Sequence, residues 1–136
     1  MSDLHVLVGV ADERYALRVD DVVEVAEYGT VAPLPGAPDA VLGVRNLRGN
    51  VLAVLDLAAI FGIERRGSPQ RIAVVEHDGY TAGLAVDSVL GVERLPAASE
   101  RVESPYLLGA TLTEGALVGL VDARLVLEAV QEAPAS

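Results

Sequence analysis

Short apolar runs, each ended by glycine, proline or charged residues, are the dominant pattern along this chain. The run Val51–Leu55 ends at Asp56, and its length and boundaries are typical of a buried β-strand. Asp56 suits a helix N-cap and Gly62 suits the position just past a helix end, so the spacing predicts a short helix over Leu57–Phe61. The segment ahead of the strand, Gly43–Arg48, carries two arginines and is interpreted as turn-like. The local order is therefore turn, strand, short helix.

The same order recurs in the second half of the chain. Asp56 corresponds to Asp122 at a separation of 66 residues, and the glycines ahead of the two strands agree at the same separation. Upstream, Leu17–Val25 corresponds to Leu84–Val92 at a separation of 67. Matches in the same order at nearly the same offset indicate an internal duplication. Chance agreement between valine-rich strands is the alternative.

The rest of the pattern predicts more short strands. They are Leu4–Val10, Tyr15–Val19, Val22–Tyr28, Arg71–Glu76, Tyr80–Val86, Val89–Leu95, Leu107–Thr113 and Ala116–Val121. Asp122 is expected to cap a second helix over Ala123–Gln131. Proline-rich segments predict irregular connectors at Gly29–Pro38 and Pro96–Pro105, because proline cannot donate to a central ladder. Many short strands with glycine and proline turns predict an all-β fold of small barrels with short helices.

Composition narrows the class of protein. A chain of 136 residues, 51% of them hydrophobic, can build one sizeable core, whereas a unit of about 65 residues is marginal alone. The net charge of −10 lacks the basic footprint of a nucleic-acid binder and disfavours an anionic membrane surface. The chain has no cysteine and no apolar stretch long enough to span a membrane. The sequence therefore predicts a soluble, cytoplasmic protein that neither binds nucleic acid nor inserts into membranes.

Candidate catalytic and metal-binding groups are few. Both histidines lie in or beside predicted strands without a second ligand at suitable spacing, so no metal site and no cofactor are expected. Asp20, Asp56, Asp87 and Asp122 occupy two pairs of equivalent positions, and such a pair could form an acid–base dyad in a small hydrolase. Each also lies at a strand end, where aspartate caps helices or stabilises turns. The capping interpretation is preferred, and the chain is not expected to be an enzyme.

Valines around the two predicted bends suggest a binding surface. If the repeats form two barrels, the bends Asp20–Val22 and Asp87–Val89 lie near the junction between them. Valines there could line an apolar groove that accepts an amphipathic helix, or they could belong to the core. The residues concerned are Val19, Val22, Val25, Val86, Val89 and Val92.

The segment Gly43–Gly49, Gly-Val-Arg-Asn-Leu-Arg-Gly, resembles the CheW family of chemotaxis coupling proteins. The resemblance extends from about Leu4 to Val130. Its other supporting positions are Tyr15, Val19, Val22, Glu24, Val25, Pro33–Pro38, Val54–Leu57, Gly83–Asp87 and Leu120–Asp122.

The resemblance implies a fold of two small five-stranded SH3-like β-barrels in tandem. Residues 1–136 would form a single CheW-like domain. Its subdomain 1 would span about residues 11–76, and subdomain 2 would span about residues 77–136 plus the strand of residues 4–9. The first strand would thus join the second barrel, and its repeat-mate would complete the first.

The resemblance also implies a function in signal transduction. The protein would be a non-enzymatic adaptor between the helical-hairpin tip of a methyl-accepting chemoreceptor and the regulatory domain of a CheA-type histidine kinase. It would be cytoplasmic and recruited to receptor arrays at the inner face of the membrane. A CheW-like regulatory module of another chemosensory pathway, serving pili or development, is the alternative.

Site residues follow from the resemblance by position. The receptor-binding groove would use Val6, Val19, Val22, Glu24, Val25, Arg48 and Val89. The kinase-binding edge would include Val31 and Ala32 in the first connector. Arg48 has an alternative structural role, in which it bridges carbonyls or carboxylates between the barrels.

Overall fold

The computed structural model describes residues 4–65 and 67–131, which form ten strands and two helices. The strands are β1 Leu4–Val10, β2 Glu13–Arg18, β3 Val22–Glu27, β4 Val41–Leu47, β5 Asn50–Asp56, β6 Arg71–His77, β7 Tyr80–Val86, β8 Ser88–Arg94, β9 Leu107–Thr113 and β10 Ala116–Val121. The helices are α1 Leu57–Ile60 and α2 Ala123–Gln131. Residues 1–3 and 132–136, at the ends of the expected domain, lie outside the described residues.

The strands form two five-stranded sheets. Barrel 1 has the strand order β3-β6-β7-β5-β4, and barrel 2 has the order β8-β1-β2-β10-β9. Neighbours pair antiparallel except β5 with β7 and β10 with β2, which pair parallel. The expectation of an all-β fold with two small SH3-like barrels in tandem and short helices is confirmed.

The two strand orders reveal the duplication directly. Strands related by the repeat occupy the same place in each sheet: β3 and β8, β6 and β1, β7 and β2, β5 and β10, β4 and β9. Both parallel pairings, β5 with β7 and β10 with β2, are also equivalent under the repeat. The internal duplication predicted from the sequence therefore accounts for the whole topology.

The exchange between the repeats is larger than the expected one. The hairpin β1–β2, not β1 alone, belongs to barrel 2, and the hairpin β6–β7 completes barrel 1. The expected division near residues 76 and 77 is therefore wrong for β2 and β7. The physical reason is that the arms of each hairpin pair along their whole length, from His5 opposite Arg18 to Val10 opposite Glu13 in the first. A tight turn keeps such arms together, so they move as one unit.

The segment interpreted as turn-like is mostly strand. Residues 43–47 belong to β4 and pair antiparallel with β5. The turn is confined to Arg48 and Gly49, whose φ angles of 55° and 85° suit the two-residue turn that matches strand twist. A turn of the same kind lies at Asp78 and Gly79, with φ angles of 51° and 83°. At the first predicted bend, residues 19–21 form a short 3-10 turn.

The largest hydrophobic core lies between the barrels. It combines side chains from both sheets and both helices, including Val8 and Leu17 of barrel 2 with Leu55 and Leu84 of barrel 1. Smaller clusters lie within barrel 2, around Leu120, and within barrel 1. Because the largest cluster of buried side chains is shared, each barrel gains stability from packing on the other.

Aspartates cap both helices as the sequence predicts. The Asp56 carboxylate accepts a hydrogen bond from the Ala58 backbone N–H at 3.1 Å, at the start of α1. The Asp122 carboxylate accepts one from the Leu125 N–H at 3.3 Å, at the start of α2. These contacts satisfy backbone donors that a helix N-terminus leaves free.

Tyr15 makes the stability of this core sensitive to alkaline pH. Burial, then the hydrogen bond from its hydroxyl to Glu13 at 2.5 Å, raises the pKa of Tyr15 above its usual value. Unfolded tyrosine ionises near pH ~10, whereas folded Tyr15 stays neutral, so stability falls as pH rises beyond that value. We expect Tyr15→Phe to lose less stability between pH 8 and 11 than the wild type in thermal melts. The control is Tyr80→Phe, whose ring is 49% exposed; equal alkaline losses in all three proteins would contradict the assignment.

Candidate functional site

Half-buried valines lie where the chain passes from one barrel to the other. Val19 and Val22 lie at the bend between β2 and β3, and Val89 lies at the start of β8. All three are half-buried and pack against the core between the barrels. We call Val19, Val22 and Val89 the junction valines, and the surface that they form the crease. They combine contact with the core and contact with solvent, which a binding groove requires.

The other valines named by the sequence differ from the junction valines in burial. Val6 is 7% exposed and Val86 is fully buried, so both belong to the core. Val6 packs within the core between the barrels, so little of its side chain reaches solvent. Val25 and Val92 are 41% and 59% exposed and lie on equivalent strands.

Arg48 and Glu24 form an ion pair on barrel 1. The Arg48 Nε lies 3.3 Å from Glu24 Oε1, and the side chains are 77% and 27% exposed. Both residues line a pocket of about 440 Å³ that also includes the exposed Val23 and Val51. Because Arg48 and Glu24 belong to the same barrel, this contact does not bridge the barrels. An ion pair this exposed contributes little stability, roughly 0–1 kcal/mol.

Arg45 has the carbonyl-bridging role that the sequence interpretation offered to Arg48. Its Nη1 donates to the backbone carbonyls of Glu27 and Tyr28, the second at 2.7 Å. Arg45 thereby ties β4 to the end of β3, the two edge strands of barrel 1. The sequence signal for this role is a charged residue within a mostly apolar segment. The turn-like interpretation of the segment did not use this signal.

The connector segment with Val31 and Ala32 is fastened to the edge of barrel 1. Ala32 and Val44 exchange two backbone hydrogen bonds, at 2.8 and 2.9 Å. Val31 packs against the interior cluster of barrel 1, while Ala32 is exposed. The predicted kinase-binding edge is therefore an ordered rim beside β4.

The aspartates weighed as a catalytic dyad have structural partners. Arg65 binds Asp56 through Nη2, at 2.5 Å from Oδ1, and binds Asp87 through Nη1. Asp122 caps α2, and Asp20 pairs with Arg18 at the surface, at 3.4 Å. Within the described ranges, no group of three or more His, Cys, Asp and Glu residues could hold a metal ion. Asp56 and Asp122 thus cap helices as expected, and Arg65 joins Asp56 to Asp87.

Neither described helix has the length and apolar character needed to cross a membrane. Two five-stranded barrels that share one hydrophobic core, with half-buried valines where the chain passes between them, define the chain as a two-barrel β protein. Comparison with known proteins identifies which one. The family model for the CheW-like domain matches residues 4–131, and the chain belongs to this family.

Named relatives and a solved structure agree with this assignment. Protein FrzA of Myxococcus xanthus is 37% identical over 123 residues, which cover 89% of this chain and 75% of the relative. Chemotaxis protein CheW of Helicobacter pylori is 33% identical over 88 residues, 63% of this chain and 53% of the relative. The crystal structure of the scaffolding protein TtCheW from Thermoanaerobacter tengcongensis has a TM-score of 0.80 and 31% identity, covering 90% of this chain and 85% of that one. Proteins of this family are scaffolds in chemosensory systems rather than enzymes.

Proposed function

We propose that this protein is a non-enzymatic adaptor that couples the cytoplasmic tips of chemoreceptors to a CheA-type histidine kinase. The observation that carries the proposal is the half-buried state of the junction valines in a chain of the CheW-like family. Valines at this crease can exchange solvent for a partner's apolar side chains without unfolding either barrel. No bond is made or broken in this role, so its chemistry is recognition alone.

The receptor side of the adaptor would be the crease. An amphipathic helix from the receptor hairpin would place its apolar face on the junction valines. Val25, which is 41% exposed, would extend that contact along β3. The Glu24–Arg48 pair lies on the same barrel and offers both signs of charge to the polar flank of the helix. Charges at such a rim set orientation and association rate more than affinity.

The kinase side would be the connector rim at Val31 and Ala32. The backbone bonds between Ala32 and Val44 present this rim in a fixed conformation, which lowers the entropy lost on binding. Each contact would be small, below ~1,200 Å² in total, and therefore weak alone. Recruitment to arrays at the inner face of the membrane would strengthen both through multivalency.

The test is assembly of the three components. We expect the adaptor to pull down a receptor-hairpin fragment and the kinase regulatory domain separately, and to retain the hairpin together with the kinase domain. Ala32→Arg should weaken retention of the kinase domain and leave the hairpin bound, because Ala32 is exposed and lies on the connector rim. Absence of hairpin binding by the folded wild type would contradict the receptor role. Unchanged kinase retention by Ala32→Arg would contradict the rim.

A second candidate function differs only in its partners. FrzA of Myxococcus xanthus matches most of this chain and is not named as a chemotaxis protein CheW. The same adaptor could therefore serve a chemosensory pathway other than chemotaxis, for example one controlling pili or development. Pull-down with kinase regulatory domains from the organism's different chemosensory systems distinguishes the two, since the adaptor should retain its own kinase best.

A further inference from the structure

Arg65 occupies a position that neither the receptor surface nor the kinase surface explains. It lies in the loop between α1 and β6, and its side chain is 12% exposed. Its two terminal nitrogens bind different carboxylates: Nη2 binds Asp56 at 2.5 Å and Nη1 binds Asp87. A planar guanidinium can hold two carboxylates in fixed directions, which a lysine ammonium cannot do. Arg65 thus fixes the position of Asp87 relative to the end of β5.

Asp87 is in turn attached to barrel 2. Its backbone N–H donates to Gly9 O at 2.9 Å, and its Oδ2 accepts from the Ala11 N–H at 2.6 Å. Both partners belong to the end of the β1–β2 hairpin. Asp87 itself joins β7 of barrel 1 to β8 of barrel 2. The chain of contacts from Asp56 through Arg65 and Asp87 to Ala11 therefore crosses the junction.

The crossing point lies next to the crease. Asp87 precedes the junction valine Val89 by two residues. At the equivalent bend, Asp21 precedes Val22 and contacts His77 Nδ1 at 3.3 Å, while Asp20 pairs with Arg18 at 3.4 Å in an exposed contact. In the repeat, Arg65 corresponds to Gln131, which carries no charge. The arginine clamp is thus a feature of one bend and not a general property of the repeat.

We propose that Arg65 is a positioning residue that holds the two barrels at the separation at which the crease accepts a helix. The proposed effect on helix binding rests on the adaptor function, whereas the proposed effect on the separation of the barrels does not. Without Arg65, the carboxylates of Asp56 and Asp87, 16% and 31% exposed, lose their shared cation. The two carboxylates, no longer joined by Arg65, would then repel each other, and Asp87 would shift together with β8 and Val89.

The geometric test measures the distance between the barrels. The chain has no native cysteine, so spin labels can be placed at Glu27→Cys on β3 and Glu93→Cys on β8, both exposed positions. We expect Arg65→Met to broaden or shift the distribution of distances between the two labels, measured by pulsed electron paramagnetic resonance. Arg18→Met, which removes the exposed pair at the other bend, is the matched control and should reproduce the wild-type distribution. An unchanged distribution in folded Arg65→Met would overturn the proposal, even if that variant melted earlier.

The functional test uses the unlabelled proteins. We expect Arg65→Met to bind a receptor-hairpin fragment about tenfold more weakly than the wild type or Arg18→Met, a change typical of residues that couple sites without touching the ligand. Arg65→Lys keeps the positive charge but lacks the planar guanidinium, so its affinity for the hairpin should lie between those of the wild type and Arg65→Met. If Arg65→Met does not fold, the label–label distance distribution of Arg65→Lys is compared with that of the wild type instead. If the wild type fails to bind the hairpin, the adaptor function is wrong while the distance measurement still decides the role of Arg65.

Discussion

Val22→Asp is expected to abolish binding of a receptor-hairpin fragment. Val22 is half-buried against the core between the barrels, so a bound helix would enclose the new carboxylate in apolar surroundings. Enclosing an unpaired charge costs at least ~2 kcal/mol, which corresponds to a loss of about 30-fold in affinity. Titration calorimetry with the hairpin fragment measures this loss, and a thermal melt of the same sample reports whether the fold survives.

Leu112→Asp is the matched control for this experiment. Leu112 is 61% exposed and lies on β9, at the opposite edge of its sheet from β8. The same charge at this position should leave both folding and hairpin affinity close to the wild-type values. Equal affinity for the hairpin in Val22→Asp and Leu112→Asp would remove the crease from the proposed function. Outright unfolding of Val22→Asp alone would show that Val22 belongs to the core.

Gly43→Ala is expected to be among the most destabilising single substitutions in the chain. A Cβ at this position would lie 2.1 Å from the Ala32 carbonyl oxygen and 3.1 Å from Pro33 Cα, so the connector would have to move. The φ angle of +151° is also unfavourable for alanine. Strain of this kind costs about 1–3 kcal/mol before the clash is added, so we expect a melting temperature lower by roughly 10 °C or more. Binding of the kinase domain should fall as well, because the displaced segment carries Val31 and Ala32.

Gly91→Ala separates backbone strain from steric clash as causes of the loss of stability. Gly91 has a similar φ angle of +139°, but no atom lies within 4 Å of the Cβ that alanine would add. Gly91→Ala should therefore show the backbone strain alone and melt well above Gly43→Ala. If the two variants melted together, the close approach of the connector to β4 would not be the cause of the loss.

The fold could be predicted largely from local pattern. Apolar runs ended by turn residues located nearly all the strands, and Asp56 and Asp122 marked both helix starts. The strand β4 was missed because Arg45 and Asn46 interrupt its apolar pattern, although pairing with β5 satisfies its backbone. The hairpin exchange was underestimated because the duplication shows which segments are equivalent but not which copy each one pairs with. Because the arms of each hairpin pair with each other, β2 follows β1 into barrel 2 and β7 follows β6 into barrel 1.

The sequence pattern does not report how deeply each candidate site residue is buried. Val6 and Val19 look alike in sequence, yet Val6 lies within the core and Val19 at its edge. The difference in burial depends on which elements pack over each residue, so residue type does not predict it. Arg65 was missed because its partners, Asp56 and Asp87, lie 9 and 22 residues away along the chain. Contacts of this kind appear only once the barrels are assembled.

The hairpin exchange imposes an order on biosynthesis. All five strands of barrel 1, from β3 to β7, are present once the ribosome has released residue 86, so that barrel can close early. The β1–β2 hairpin is made before barrel 1, but its neighbours β8 and β10 are not complete until residue 121. During that interval the nascent chain carries an unpaired apolar hairpin with open edges, a form that favours wrong pairing with other chains. The β1–β2 hairpin is therefore synthesised before barrel 1 but reaches its final place after it.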